Sequence, residues 1–229
     1  MPRGIKPIME IWYFKRNRYP DGTLNKHKSR LCAHGGKQQC GINYWDTYAQ
    51  VVNWVSVRCL LIISQLAGLE TQALDFVLEF TQAKFDVPVY TKKPPGIDIE
   101  NGSKEEYLIS LKSSLYGIKQ SSANWYDSLK KGLERRSFRE SKADHCVFMK
   151  KGMITLTYVD DCILISNKKE TSDQFIHSLA NGIKKFEFTD EGAIDKYLGV
   201  EIEQLKGKEF ILRKPFLIRR ILEALNVKT

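Results

Sequence analysis

Apolar positions recur along this chain in two rhythms, one of about two residues and one of three to four, which divide it into strands and helices. In Trp54–Gly68 the residues Val57, Leu60, Leu61 and Ser64 share one helical face. Ser121–Ser137 repeats Trp125, Tyr126, Leu129 and Leu133 at helical spacing. Ser172–Phe186 carries a full apolar stripe of Phe175, Ile176, Leu179, Ile183 and Phe186. Pro215–Leu225 begins a further helix at a proline, a favoured first position. Strand-like Ile11–Lys15 and Asn25–Cys32 flank a turn at Pro20-Asp21-Gly22. Ala73–Val77 is a short strand, and Ile154–Tyr158 and Cys162–Ile165 form a hairpin through Val159-Asp160-Asp161. Tyr197–Ile202 and Glu209–Leu212 form another, turning near Gly207. Pro94-Pro95-Gly96 breaks the chain, and Asp98–Glu106 reads as a surface loop. From Ala73 the order strand, helix, hairpin, helix, hairpin predicts an α+β fold with helices on one face of an antiparallel sheet.

Composition narrows the setting. At 229 residues, 42% hydrophobic and 28% charged, the chain has ordinary globular bulk, but its net charge of +9 and pI near 9.2 are basic. From Met1 to Cys40 there are nine Lys/Arg against two acids, and from Leu205 to Thr229 seven against two. Two basic ends around a balanced middle suit a nucleic-acid partner first and an acidic membrane surface second, and equally suit a solvated surface. The five cysteines are odd in number and unpatterned, which with no secretory leader predicts reduced thiols in an intracellular protein. Cys32, His34 and Cys40, with His27 nearby, fit no strong zinc signature. The longest greasy run, Val57–Leu69, is too short and too interrupted to span a bilayer, so no membrane is expected as a partner.

Two adjacent acids, Asp160 and Asp161, interrupt an otherwise apolar hairpin. They repel one another unless neutralised, and a hard divalent cation would neutralise them; a solvated turn is the plainer account. Asp75 is a second such acid, set in the apolar strand Ala73–Val77. If the strands are neighbours, three carboxylates converge, and two metal ions about 3.5–4 Å apart could sit on them.

The residues in order then match a known family. Pro20-Asp21-Gly22 with Lys28-Ser29-Arg30-Leu31, Leu74-Asp75-Phe76, Val89-Tyr90 with Pro94-Pro95-Gly96, and Ser114-Leu115-Tyr116-Gly117-Ile118-Lys119-Gln120 are four of the carrying stretches. Trp125-Tyr126, Lys142-Ala143-Asp144, Tyr158-Val159-Asp160-Asp161 and Tyr197-Leu198-Gly199-Val200-Glu201-Ile202 complete the set. The chain resembles, from about Ile11 to Val227, the reverse transcriptase domain of copia-type long-terminal-repeat retrotransposons. The resemblance implies a right-hand polymerase fold, with fingers over 1–70, palm over 71–96, a fingers connection over 97–115, palm and primer-grip hairpin over 116–203, and the start of a thumb over 204–229. It implies an RNA-directed DNA polymerase using two Mg²⁺ ions, with Mn²⁺ as an alternative, held by Asp75, the Phe76 carbonyl, Asp160 and Asp161. It assigns Lys28, Arg30, Phe80, Tyr116, Gly117, Lys119 and Gln120 to the incoming dNTP, with Phe80 as the ring that rejects a ribose 2′-hydroxyl. Tyr158, Leu198, Gly199, Arg213, Lys214, Arg219 and Arg220 are assigned to primer and template. The implied partners are an RNA template, a DNA or tRNA primer and dNTPs, in the cytoplasm, in virus-like particles or in the nucleus. Ribonuclease H and integrase domains are expected elsewhere in a full polyprotein, and the end at Thr229 reads as a fragment or a degenerate copy.

Departures from the family pattern raise the alternative of an inactive, decayed copy that keeps the fold and binds nucleic acid. Glu79 stands where relatives carry a small residue, Gln50 and His145 replace prolines, and Thr81 and Thr91 are unusual. A purely structural role within a larger assembly is a third reading.

Overall fold

A computed structural model describes residues 6–18, 23–97, 108–205 and 209–227. The expected turns at Pro20-Asp21-Gly22 and Gly207, and the Asp98–Glu106 loop, lie outside the described residues. In chain order the elements are β1 (Glu10–Arg18), β2 (Leu24–Ala33), α1 (Trp54–Ala67), β3 (Glu70–Phe76), β4 (Lys84–Lys92), β5 (Leu108–Ser113) and α2 (Ser121–Glu134). They continue with β6 (Arg139–Glu140), β7 (Val147–Lys150), β8 (Met153–Tyr158), β9 (Asp161–Ser166), α3 (Lys169–Asn181) and β10 (Phe188–Ala193). The last are β11 (Lys196–Tyr197), β12 (Val200–Leu205), β13 (Glu209–Arg213) and α4 (Pro215–Ala224). The chain divides into two compact units, Met1–Gln50 with Leu78–Lys131, and Val51–Val77 with Gly132–Thr229.

The first unit holds two antiparallel ribbons, β1–β2 and β4–β5. Ile8, Ala33, Val89 and Ile118 form its small core, with Phe85, Leu111 and Leu115 packed against them. Both faces of the β1–β2 ribbon stay largely exposed, so its stability comes from pairing rather than burial. The pattern of apolar positions does not predict β4. Pro88 falls inside it and the register shifts between Lys84 and Val89, the sort of interruption that proline imposes on a strand.

The second unit is built on a six-stranded antiparallel sheet in the order β10-β3-β9-β8-β7-β6. Ile163, Leu164 and Ile165 of β9 are consecutive and all fully buried, so both faces of the sheet centre are covered. The hydroxyls of Thr155 and Thr157 in neighbouring β8 find partners at Cys162 Sγ (3.1 Å) and the Cys146 carbonyl (3.5 Å). All five cysteines are free, and burial pushes the Cys146 and Cys162 thiols up to about 12, which makes them inert core groups.

Helix α1 starts where Asn53 Oδ1 accepts from the Val55 N–H and ends on Gly68 in the left-handed region (φ 63°). Helix α3 departs from expectation. It ends at Asn181 rather than Phe186, and Ile183, placed on the apolar stripe by spacing, is 96% exposed. The physical cause is Arg136, whose guanidinium donates to the carbonyls of Ser178 (2.6 Å) and Lys184 (2.8 Å) and so satisfies the helix terminus from outside. Phe186 is still buried, edge-on to Phe76 at 5.8 Å. The strand expected over Tyr197–Ile202 is split by a turn at Leu198-Gly199, and β11 folds back on β12. Helix α4 forms at Pro215 as expected and buries none of its residues.

The Lys142-Ala143-Asp144 motif has a structural office. Asp144 is buried, and its carboxylate accepts from the Asn53 and Cys146 N–H groups, each at 2.9 Å. It therefore ties the start of α1 to the turn before β7. Asp144→Ala is expected to lower stability by about 2–3 kcal/mol, read as a shifted urea midpoint, because two backbone donors lose a charged acceptor.

Candidate active site

The β8–β9 hairpin turns through Val159 and Asp160. Val159 sits at φ 51°, a conformation that a β-branched residue adopts only under constraint from its surroundings. Across the sheet, β3 pairs antiparallel with β9 so that Asp75 lies directly opposite Asp161. The Phe76 N–H donates to the Asp160 carbonyl at 2.8 Å, fixing the hairpin tip to the end of β3. The sequence thus brings Asp75, Phe76, Asp160 and Asp161 to one sheet end. Burial first, then the charges of Asp160, Asp75 and Glu191, push the Asp161 carboxyl up to about 6, against a smaller opposite pull from Lys196. Like charges set opposite one another across strands are destabilising. No group of three His, Cys, Asp or Glu among the described residues stands in a metal-holding arrangement. The donor set still fits one class of ion. It is all oxygen, from carboxylates and one carbonyl, and carries excess negative charge, the chemistry of Mg²⁺ or Mn²⁺ rather than of a soft metal.

The first unit carries a second cluster, centred on Tyr116. The Tyr116 hydroxyl donates to Glu79 Oε2 at 2.8 Å, its ring meets Phe80 edge-on at 4.9 Å, and the Arg30 guanidinium lies over it at 4.9 Å. Its carbonyl accepts from the Ala33 N–H at 2.8 Å. Gly117, at φ 84°, packs so closely that an added Cβ would fall on the Ala33 carbonyl oxygen. The close approach expected at this glycine is therefore to the fold's own backbone.

Lys119 and Gln120 are committed inside this unit. Lys119 Nζ donates to Tyr44 Oη at 3.1 Å, and its charge lies 4.6 Å from that ring. Gln120 is fully buried, accepting from Gln38 Nε2 and donating to the Asn43 carbonyl, both at 2.8 Å. Its amide braces the loop after β2, and reaching a ligand would break both bonds. Lys28 is exposed and lies opposite Lys15 in the β1–β2 register. Phe14, Lys15, Arg16, His27, Lys28 and Ser29 line a hollow of about 410 Å³ there. Two lysines in register suit an anionic occupant.

The residues expected on primer and template all lie in the second unit. Tyr158 is half-buried and pairs with Asp161. Leu198 (φ 49°) and Gly199 (φ 72°) form the tight turn between β11 and β12. Arg213 is bridged to Glu203 at 3.0 Å, Lys214 lies 5.8 Å from the Trp54 ring, and Arg220 lies 6.0 Å from the Phe216 ring. Arg219 is exposed on α4.

Sequence reasoning misses Glu191 as a third charge on Asp161, and the Tyr116–Glu79 bond. Glu79 stands out in the sequence only as a misfit, and the signal lies in that oddity. Most of the other departures also have partners. Thr91 donates to the buried Glu10 at 2.6 Å, Thr81 to the Leu78 carbonyl at 2.8 Å, and His145 Nδ1 lies 2.7 Å from Glu140 Oε1. Nothing in the structure explains Gln50.

The family model described as reverse transcriptase (RNA-dependent DNA polymerase) matches residues 1–229. This chain belongs to the reverse transcriptase family. It is the family that the motifs point to, in its copia-type branch, and its antiparallel sheets and helices are the α+β class read from the pattern of elements. The chain is similar to the retrovirus-related Pol polyprotein from transposon TNT 1-94 of Nicotiana tabacum, 27% identical over all of this chain and 17% of that protein. It is 28% identical to the Pol polyprotein from transposon RE1 of Arabidopsis thaliana, over 85% of this chain and 13% of that one. It is 30% identical to the transposon Ty1-GR3 Gag-Pol polyprotein of Saccharomyces cerevisiae, over 96% of this chain and 12% of that one. This reverse transcriptase chain therefore spans less than a fifth of these relatives. Among solved structures it is similar to telomerase from Candida albicans in complex with a fragment of telomeric RNA, at TM-score 0.39 and 9% identity, covering 89% of this chain and 47% of that one. No helix among the described residues is long and apolar enough to cross a membrane.

Proposed function

We propose that this chain copies RNA into DNA, extending a primer 3′-hydroxyl with dNTPs as the polymerase domain of a transposon Pol polyprotein. The observation that carries this reading is the pairing of Asp75 opposite Asp161 beside Asp160, at a hairpin tip held in a strained turn. Asp75, the Phe76 carbonyl, Asp160 and Asp161 would hold two Mg²⁺ ions, with Mn²⁺ as an alternative. Bound there, the ions would supply Lewis acidity to the attacking hydroxyl and to the departing pyrophosphate. The remaining groups bind and orient. Lys28 and Arg30 offer charge to the triphosphate, Phe80 presents a ring to the sugar, and Tyr116 and Gly117 shape the pocket floor. Lys119 and Gln120 support that floor through Tyr44, Gln38 and Asn43. Tyr158 and the Leu198-Gly199 turn serve the primer end. Lys214, Arg219 and Arg220, with Arg213 once released from Glu203, serve duplex phosphates in a salt-dependent way.

In this reading the fingers, palm and start of thumb follow the sequence boundaries given above. The template is RNA, the primer DNA or tRNA, and the setting intracellular, in cytoplasm, virus-like particles or nucleus. The partners found for Glu79 and Thr91, both buried, mean that these two departures are compatible with the fold, which an active copy and a decayed one would share. Titration with Mg²⁺ tests the metal assignment. The melting temperature should rise by several degrees in the wild type and by less than half as much in Asp160→Asn, since a cation that binds only the folded state stabilises it. Equal responses in the two proteins would count against a cation held by this carboxylate.

A further inference from the structure

Glu79 is a long acid buried to 4% exposure in a unit with a small core. A carboxylate in such a place is costly unless it is bonded, and Glu79 accepts from the Tyr116 hydroxyl at 2.8 Å. The backbone is arranged to put it there. Leu78 is at φ 49°, a strained left-handed conformation that opens the short Glu79–Gln82 turn, and Leu78 itself is left exposed while Glu79 is buried. Two groups of the proposed nucleotide pocket meet on Tyr116, and a backbone bond braces it. Phe80 touches its ring edge-on at 4.9 Å, Arg30 lies over the ring at 4.9 Å, and Ala33, on the strand that carries Arg30, donates to its carbonyl at 2.8 Å. An anion on the hydroxyl and a cation on the ring fix the phenol from two directions, and such linked contacts strengthen one another.

We infer that Glu79 is a positioning residue of the nucleotide pocket: its hydrogen bond to Tyr116 holds the Tyr116 and Phe80 rings and the Arg30 guanidinium in one arrangement, which sets nucleotide affinity and the choice of sugar. This rests on the polymerase reading above. Glu79 does not touch the nucleotide in this account. It acts through Tyr116, so removing either end of the bond should have the same consequence, and removing both should add nothing.

The test compares wild type with Glu79→Ala, Glu79→Gln, Tyr116→Phe and the double variant Glu79→Ala/Tyr116→Phe. It uses steady-state primer extension with dTTP and with UTP, and binding of a fluorescent dTTP analogue without extension. Glu79→Ala should raise the KM for dTTP about tenfold, the size of one lost charged hydrogen bond, with a much smaller change in kcat and a weaker preference for dTTP over UTP. Tyr116→Phe should match it, the double variant should be no worse than either, and Glu79→Gln, whose amide oxygen still accepts from the hydroxyl, should restore most of the affinity. An extending wild type with Glu79→Ala indistinguishable from it overturns the inference and leaves the polymerase reading intact. So does a loss that tracks melting temperature alone, with no rescue by Glu79→Gln. A wild type that does not extend overturns the polymerase reading, and the binding measurement then decides the inference: analogue binding weakened by Glu79→Ala upholds it, and binding that is absent or insensitive to Glu79 overturns it.

Discussion

Asp161→Asn is expected to raise the melting temperature of the chain in EDTA while it removes primer extension. The carboxyl of Asp161 is lifted to about 6 by burial and by Asp160, Asp75 and Glu191, so at pH 7 the folded state carries an anion that it disfavours. An amide of the same shape ends that repulsion. The group is only partly buried, so after solvent screening is allowed for the gain is about 1 kcal/mol, a shift of roughly 2–4 °C for a chain of this size. The loss of activity is far larger. A ligand that helps hold catalytic metal contributes several kcal/mol to the transition state, so extension should fall roughly 10³-fold. Opposite movements of stability and activity in one variant mark a residue kept for chemistry at the expense of the fold. A drop in melting temperature in EDTA would show instead that Asp161 stabilises the metal-free fold.

Gly117→Ala is expected to disrupt the first unit. At φ 84° the new Cβ is strained, and it would also fall on the Ala33 carbonyl oxygen, forcing apart the backbones joined by the Ala33 to Tyr116 bond. Strain and displacement together should cost about 3 kcal/mol or more. Gly41 provides the contrast. It has a similar φ of 78° with nothing within 4 Å of where an alanine methyl would stand, so Gly41→Ala should cost about 1 kcal/mol from backbone strain alone. Urea unfolding of both variants checks the difference, and similar losses would mean that the close contact at Gly117 contributes little.

What can be read in the sequence is what is written locally. The β8–β9 hairpin shows itself because two acids interrupt an apolar run, and α4 because Pro215 opens an amphipathic stretch. The bounds of α1 follow from Asn53 and Gly68, both local signals. The strands that escape are β4, β5, β6, β7 and β10, and in two of them the local signal is contrary. β4 contains Pro88, and β10, Phe188–Ala193, is an edge strand of mostly polar residues whose register shifts between Asp190 and Gly192. The end of α3 is misplaced by spacing because the terminating group, Arg136, lies 42 positions before the Ser178 carbonyl that it satisfies. The site divides in the same way. Asp75, Asp160 and Asp161 are visible as acids in greasy strands, but their meeting is a matter of register between β3 and β9, which no local pattern carries. Glu79 looks like damage because its partner, Tyr116, is 37 positions away. Gln120 and Gly117 are held by contacts that the motif does not show, with Gln38 and Asn43 for the one and the Ala33 backbone for the other.

Three carboxylates on β3 and the β8–β9 hairpin are expected to carry RNA-directed DNA polymerase activity in this chain. The measurement that tests it most directly is primer extension on poly(rA)–oligo(dT) with Mg²⁺ or Mn²⁺, wild type against Asp160→Asn/Asp161→Asn. Extension by the wild type, lost in the double variant while both proteins still bind the hybrid, is the predicted result. No extension by either protein, or equal extension by both, would contradict it.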